Sequence, residues 1–257
     1  MENRNIIYLI GLMLIAVLDI YILIVLPHGR PFPLLQSSFF LFGLGLNSTI
    51  LIWVIALFLI YRWNKTGRKN KSLIYWGFSF LVYSITFIAH IFRALGVQNA
   101  NENTSGIHFF FLRVGMIIWA AGILYGLLLI VIENKNYQKI PSLMTIGVGL
   151  LIFIIGLFII PSPNPIELTM YYFLFTIWIP ICFTMAYIFF YIGIKGKQIG
   201  PKIVSIGFLG LMITYMTWAP WHYSDVIYIY FIWYFLFMLS LVPILIGFLV
   251  MSVESTK

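Results

Sequence analysis

The stretch SLIYWGFSFLVYSITFIAHIFRALG, residues 72–96, is apolar or aromatic along most of its length and ends with a histidine and an arginine. An apolar run of this length can cross a hydrocarbon core of ~30 Å as a single helix. His90 and Arg93 are three residues apart and therefore share one face of that helix. The stretch predicts a membrane-spanning helix with two ionisable groups near one end.

The composition of the whole chain extends this prediction to a multi-pass membrane protein. Hydrophobic residues make up 62% of the 257 residues and charged residues only 9%, whereas soluble domains carry about 25% charged residues. The apolar runs are too long for strands and show no alternation of polar and apolar residues. We expect an all-α polytopic integral membrane protein that forms a single membrane domain over residues 1–257.

Turn-forming and basic segments divide the apolar sequence into eight predicted membrane spans. The breaks include the proline-rich PHGRPFP and PSPNPIE and the basic, glycine-containing NKTGRKNKS. The predicted spans are 6–26, 38–62, 73–95, 107–132, 143–161, 168–193, 203–221 and 226–252. Because little chain lies outside these spans, we expect any signalling output to belong to a partner protein.

The distribution of basic residues predicts the orientation of the spans. With eight spans, both termini and three loops share one side of the membrane, and cytoplasmic loops are the ones enriched in Lys and Arg. That side holds Arg4, Arg62, Lys65, Arg68, Lys69, Lys71, Lys135, Lys139, Lys195, Lys197, Lys202 and Lys257. The other side holds only Arg30, Arg93 and Arg113. We therefore expect a cell-membrane protein with both termini cytoplasmic. The net charge of +8 is explained by these basic loops, and we expect no nucleic-acid partner.

Two parts of the sequence resemble each other, which raises the hypothesis of a tandem four-helix duplication over residues 1–135 and 140–257. The segment IYRWNKTGRKNKSLIYWGFSFLVYSITFIA aligns without a gap with FYIGIKGKQIGPKIVSIGFLGLMITYMTWA. Identical pairs are Tyr61/Tyr191, Lys65/Lys195, Gly77/Gly207, Phe78/Phe208, Leu81/Leu211 and Ala89/Ala219. Apolar segments with matched loop spacing also align by chance, so both interpretations stay open. Repeats of four spans share one orientation and are related by an axis along the membrane normal.

Ionisable residues collect in the predicted external half of the membrane, and two of them lie several residues deep inside spans. Asp19 is about 10 Å below the outer end of the first span, and Arg113 is about 8 Å below His108 in the fourth. A charge at a helix centre costs roughly 2.5–3.5 kcal/mol, so an Asp19–Arg113 pair would offset much of that cost. The alternatives are a purely structural ion pair and, for Arg93, snorkelling to the headgroups.

These groups define a candidate ligand-binding cup that opens outward. Asn47, Ser48 and Thr49 lie about 12 Å below the outer end of the second span and would line it, although ordinary interhelical hydrogen bonding is the alternative. The planar donor fork of arginine suits carboxylate or phosphate. The candidate ligand-binding residues are Asp19, Asn47, His90, Arg93, His108 and Arg113.

Catalytic and metal-binding motifs are missing from the sequence. Cys182 is the single cysteine, and no HxxxH, HExxH, P-loop or GxSxG pattern occurs. We therefore expect no cofactor, no metal site and, more often than not for such a chain, no enzymatic activity. An intramembrane enzyme that uses the four histidines with a metal remains a third hypothesis.

Prolines and tryptophans within the spans give two further expectations. Pro180 and Pro243 interrupt the sixth and eighth spans, where each is expected to bend its helix. Trp63, Trp76, Trp218 and Trp221 are expected at span ends as part of an interfacial aromatic belt.

The leading hypothesis for function is binding, and by extension transport, of a small polar or anionic solute in the outward-facing pocket. The alternative is a receptor-like membrane sensor or partner subunit that relays an external signal through its cytoplasmic loops. The lipid bilayer is the expected partner in either case, and a cytoplasmic protein partner belongs to the second hypothesis.

Overall fold

A computed structural model of the chain describes residues 38–94, 107–158, 172–222 and 227–254, with side chains described over 46–85, 114–155, 172–216 and 235–254. Within these residues all regular structure is helical, and no strand occurs there. The elements are α1 (Ser38–Lys65), α2 (Lys71–Ala94), α3 (Ile107–Val131), α4 (Lys135–Phe158), a π-helical turn (Leu174–Trp178), α5 (Ile179–Lys195), α6 (Ile199–His222) and α7 (Ile227–Glu254).

Six of the seven described helices have the length and composition of membrane spans. Within the described residues, six apolar stretches are long enough to cross a bilayer: Leu46–Lys65, Val114–Val131, Lys135–Ile155, Leu174–Lys195, Ile199–Met216 and Phe235–Glu254. This confirms the expectation of an all-helical, multi-pass membrane protein. The first predicted span, residues 6–26, lies outside the described residues.

Helix α4 begins earlier than the sequence pattern indicates. Its predicted span starts at residue 143, whereas the helix starts at Lys135 and contains Pro141. The side-chain oxygen of Asn134 accepts a hydrogen bond from the backbone N–H of Asn136 at 3.0 Å and so caps the new start. The basic residues at 135 and 139 are therefore helical rather than part of a loop.

The helices pack as antiparallel neighbours in two groups. Helix α2 packs between α1 and α3, and α6 packs between α5 and α7. Contacts between α1 and α7 and between α3 and α5 join the two groups, while α4 packs chiefly against α3. The core of the protein lies between the two groups, where most of the fully buried side chains are aromatic or branched.

Glycines allow the closest of these helix contacts. A Cβ atom added to Gly247 of α7 would lie 2.6 Å from the backbone nitrogen of Val204 in α6. A Cβ atom added to Gly207 of α6 would lie 2.8 Å from the carbonyl oxygen of Ser240 in α7. Lipid supplies no hydrophobic drive between helices, so close van der Waals packing at small residues has to hold them together.

Trp76 is a core residue and not part of an interfacial belt, which corrects the sequence-based expectation. Its side chain is 2% exposed, and its indole N–H donates a 3.0 Å hydrogen bond to the carbonyl oxygen of Ile123 in α3. Gly126 leaves room for the ring, since a Cβ atom there would overlap it. The position of a tryptophan near a span end does not reveal which way the ring turns.

The end of α7 is tied to the start of α6 by a carboxylate. Glu254 accepts hydrogen bonds from the backbone N–H groups of Ile199 at 2.9 Å and Gly200 at 3.3 Å. Because the first N–H groups of a helix have no partner within the helix, a carboxylate at this position satisfies two of them and complements the helix dipole.

Replacing Gly247 with alanine is expected to destabilise the protein by about 1–3 kcal/mol, because the added methyl group overlaps the backbone of α6. The matched control is Gly147→Ala in α4, where a Cβ atom meets nothing within 4 Å and removal of a helical glycine stabilises slightly. Thermal unfolding in detergent micelles measures both. Equal midpoints for the two variants would contradict the packing described.

Replacing Glu254 with glutamine is expected to cost about 1 kcal/mol, since the charged cap on α6 becomes neutral. Thermal unfolding of the same kind measures the loss. Glu133→Gln, at an exposed position after α3, is the control and should leave the midpoint unchanged. The description of the cap is wrong if the two variants lose the same amount.

Candidate functional site

Five aromatic side chains meet where the two helix groups join, and we refer to them as the central aromatic cluster. The cluster consists of Tyr83, Trp119, Trp178, Tyr215 and Phe237. Each residue comes from a different element, and every one is buried, with an exposed fraction of 3% or less. The cluster is therefore the point at which side chains from α2, α3, the π-helical turn, α6 and α7 meet.

The rings of the cluster form a continuous set of contacts. Trp119 and Trp178 are stacked, with ring centroids 4.0 Å apart and an interplanar angle of 21°. Tyr83 lies 5.4 Å from Trp119 and 5.3 Å from Trp178, and Tyr215 lies 4.7 Å from Trp178. Each such pair contributes about 0.5–1.5 kcal/mol beyond its buried area.

A hydrogen bond between two tyrosine hydroxyls crosses the cluster. The hydroxyl groups of Tyr83 in α2 and Tyr215 in α6 are bonded, and either can act as the donor. Because both groups are buried, the bond satisfies polar atoms that would otherwise be desolvated without compensation. It is also a direct polar link between the two helix groups.

The two stacked tryptophans carry buried N–H groups without an acceptor among the described residues. The Nε1 atoms of Trp119 and Trp178 are inaccessible to solvent and form no hydrogen bond there. By contrast, Trp76 donates to Ile123 and Trp53 donates to Ser84 at 2.7 Å. Buried polar atoms are nearly always paired in folded proteins, so two unpaired donors on adjacent rings mark this position.

The chain reaches the cluster through a π-helical turn just before Pro180. In this turn the N–H of Ile179 donates to the carbonyl oxygen of Leu174, five residues earlier. Proline has no N–H to continue the α-helical pattern, which accounts for the local widening. The helix continues as α5 after the turn, where Thr184 donates to the carbonyl oxygen of Pro180 at 2.7 Å. Helix α7, in contrast, runs without a break through Pro243.

Asn47 is the one predicted ligand-binding residue whose side chain is described. It is 7% exposed, and the adjacent Ser48 and Thr49 are 0% and 2% exposed. Three consecutive buried residues cover more than half of the circumference of a helix, so protein covers most of α1 at this level, while Leu46 on the remaining side is exposed. The Oγ atom of Ser48 has no hydrogen-bond partner in the described part of the chain.

The other predicted site residues are only partly within the described structure. Asp19 lies outside the described residues altogether. The helical backbone is described at positions 90 and 93 of α2 and at positions 108 and 113 of α3, but these four side chains lie outside the described set.

The register of α1 against α2 aligns the backbone of two predicted site residues. Trp53 is bonded to Ser84, and Ile60 lies against Gly77, so the helices are antiparallel. Continuing this register toward the start of α1 brings position 47 level with position 90.

The register of α2 against α3 relates positions 90 and 93 of α2 to positions 108 and 113 of α3. Trp76 contacts Gly126, and Tyr83 contacts Trp119, so a step of seven residues along one helix matches seven along the other. Continuing this register brings position 93 to within one residue of the level of position 108, and position 90 to within one residue of the level of position 113. The five positions of α1, α2 and α3 then fall within about 8 Å along the membrane normal.

The described interior carries polar groups but no charge. Every buried polar residue in the described part of the chain is Asn, Gln, Ser or Thr. No three His, Cys, Asp or Glu residues come close enough there to hold a metal ion. The central aromatic cluster was not predicted from the sequence. One signal was available: Trp119 and Trp178 lie well inside their apolar runs, whereas an interfacial tryptophan lies near the end of a span.

No protein-family model matches the sequence, and no curated protein and no solved structure is detectably similar to it.

Replacing either Tyr83 or Tyr215 with phenylalanine is expected to cost about 1 kcal/mol of stability through loss of the hydroxyl–hydroxyl bond. The double variant should lose less than the sum of the two, because both changes remove the same bond. Unfolding in mixed micelles gives the three values, with the exposed Tyr137→Phe as the control. Additive losses would show that the two hydroxyls are not coupled.

Proposed function

We propose that this membrane protein binds a small polar or anionic solute in an outward-facing pocket between its helices and moves that solute across the membrane. The observation that carries the proposal is the helix register, which brings positions 47, 90, 93, 108 and 113 to one level of the bundle. These positions hold an asparagine, two histidines and two arginines. Such residues are energetically unfavourable inside a membrane span, and where they occur they usually have a functional role.

The polar groups of α1 support a pocket at this level. Asn47 and Ser48 are buried there, and Ser48 leaves a hydroxyl oxygen without a partner among the described residues. Two arginines on the neighbouring helices would supply planar donor forks for a carboxylate or phosphate group. Asp19, on the first predicted span, would balance part of that charge when no solute is bound.

The order of helix contacts supports a tandem duplication. In such a duplication α1 corresponds to α5, α2 to α6 and α3 to α7. The contact between α1 and α7 then corresponds to the contact between α5 and α3. Both contacts are present, and the Tyr83–Tyr215 bond joins two helices that correspond to each other. We therefore propose eight spans in two parallel four-span repeats, over residues 1–135 and 140–257, with both termini cytoplasmic.

An interrupted helix at the junction of the two proposed repeats supports transport rather than binding alone. Secondary transporters work by rocking one repeat against the other, and their helices are often interrupted. The π-helical turn, whose Trp178 belongs to the central aromatic cluster, and Pro180 interrupt the helical segment that continues as α5. The turn gives this segment a place to bend, and such bending would help the two repeats to move against each other during transport.

A second candidate function is that of a membrane sensor or partner subunit. Exposed basic residues in two short turns favour it: Arg68 lies 5.3 Å from the ring centre of Trp63, and Lys195 lies 5.8 Å from that of Tyr191. Lys69 and Lys197 are exposed beside them, which leaves a basic surface for an acidic partner. Purification of the tagged chain with a stoichiometric second protein would favour this function over transport.

Replacing Arg113 with alanine is expected to weaken binding at least tenfold, because the variant loses a charged donor that the solute contacts. The probes are acetate, lactate and inorganic phosphate, with glycerol as a neutral polar probe, titrated calorimetrically into protein in nanodiscs. Asn47→Ala should weaken binding less, and Arg68→Ala, at the opposite end of the bundle, should leave it unchanged.

Binding by Arg113→Ala at the wild-type affinity would overturn the proposed site. Binding of none of the four probes by the wild-type protein, together with a co-purifying partner, would favour the sensor function. Insertion of each variant is checked by its yield in the membrane fraction and by helical content.

A further inference from the structure

We propose that the central aromatic cluster is a second binding site, for a neutral, planar molecule whose carbonyl oxygens accept hydrogen bonds from the indole N–H groups of Trp119 and Trp178. A quinone has this chemistry. The site differs from the solute pocket in position, in its residues and in the class of molecule that it takes.

The unpaired donors determine which groups the bound molecule must carry. An indole N–H can only donate, so its partner has to be an acceptor. Both donors are fully buried, and the rings that carry them are stacked with centroids 4.0 Å apart. A molecule that carries carbonyl oxygens can pair with such donors and relieve their desolvation.

The charge of the surroundings favours a neutral molecule. No Asp, Glu, Lys or Arg is buried in the described part of the chain, so an ion at the cluster would have no counter-charge among those residues. Ions are strongly disfavoured in a low-dielectric interior without such a partner. Carbonyl oxygens accept hydrogen bonds without carrying a full charge, and so they satisfy the donors at much lower cost.

The rings themselves favour a flat apolar body. Trp119, Trp178, Tyr215 and Phe237 present aromatic faces and edges on which a planar ring system can pack. Such molecules partition into lipid, and the π-helical turn provides a route from it. Phe175 in that turn is 50% exposed on the outside of the bundle, while Trp178 of the same turn belongs to the cluster.

Entry of the molecule requires movement of the π-helical turn. The cluster is closed, because each ring touches its neighbours. The widened turn next to Pro180 is the segment whose backbone hydrogen bonding departs from the α-helical pattern. A small shift of this turn would separate Trp178 from Trp119, and π-helical turns occur frequently at functional sites.

The experiment uses the full chain labelled with ¹⁵N-tryptophan in detergent micelles. The probe is 2,3-dimethyl-1,4-naphthoquinone, and the matched control probe is 2,3-dimethylnaphthalene, which has the same frame without acceptors. Trp119→Phe and Trp178→Phe assign the two indole resonances by their disappearance. We expect the quinone to shift these two resonances in a saturable way, while the resonance of Trp76, already bonded to Ile123, stays in place.

The phenylalanine variants also test the energetic role of the donors. Each is expected to weaken quinone binding about fivefold, as loss of one hydrogen bond predicts, and Trp76→Phe should leave the affinity unchanged. The proposal is overturned if the quinone shifts neither resonance, if the hydrocarbon shifts both equally, or if both variants bind the quinone as the wild type does. If one variant does not fold, the other variant and the wild-type titration decide the question. Quinone binding at the cluster does not depend on Arg113. A negative result here therefore leaves the proposed solute pocket untouched, and a negative result for the solute pocket leaves the quinone site untouched.

Discussion

Close helix packing is the constraint on which the rest of this structure depends. Lipid is as apolar as the side chains, so the hydrophobic effect that collapses a soluble core contributes little between membrane helices. Van der Waals contact at short interhelical distance has to supply the missing stabilisation. Helices α6 and α7 approach until Gly207 and Gly247 touch the opposite backbone, and Glu254 then caps the first turn of α6. These contacts set the register of the pair, and the register decides which side chains meet.

The interior that results separates two kinds of chemistry. Polar residues of α1 lie about level with the arginine and histidine positions of α2 and α3, while aromatic rings fill the junction between the two helix groups. Charged groups need water or counter-charges, which are available near either surface of a membrane. Indole donors without charged neighbours suit a neutral acceptor instead. The two proposed sites are thus physically distinct, although the tyrosine pair connects the helices that carry them.

The sequence predicted well where the helices lie, and less well which side chains of each helix face the protein interior. Apolar run length predicted each described helix, because a helix has to satisfy its own backbone in lipid. Run length did not predict the start of α4. Asn134 caps a first helical turn there, and its basic residues made that turn resemble a loop in the sequence. The sequence-based expectation also failed at Trp76, since an aromatic ring near a span end can turn inward when a glycine on the next helix makes room. The placement of Asn47 in a binding site stays a prediction, whereas the burial of Trp119 and Trp178 in a central cluster was not predicted at all.

Sequence alone determined that the chain is an all-helical membrane protein, because composition and run length report how much apolar surface lipid must cover. It also placed Asn47 on a span with polar neighbours, since residue type and spacing are local properties. Tertiary structure decided that Asn47 is level with position 90, that Trp119 stacks on Trp178, and that Tyr83 bonds Tyr215 across the two helix groups. Those facts depend on the rotation and register of packed helices. Contact between glycines and facing backbones sets both, and no single span encodes them.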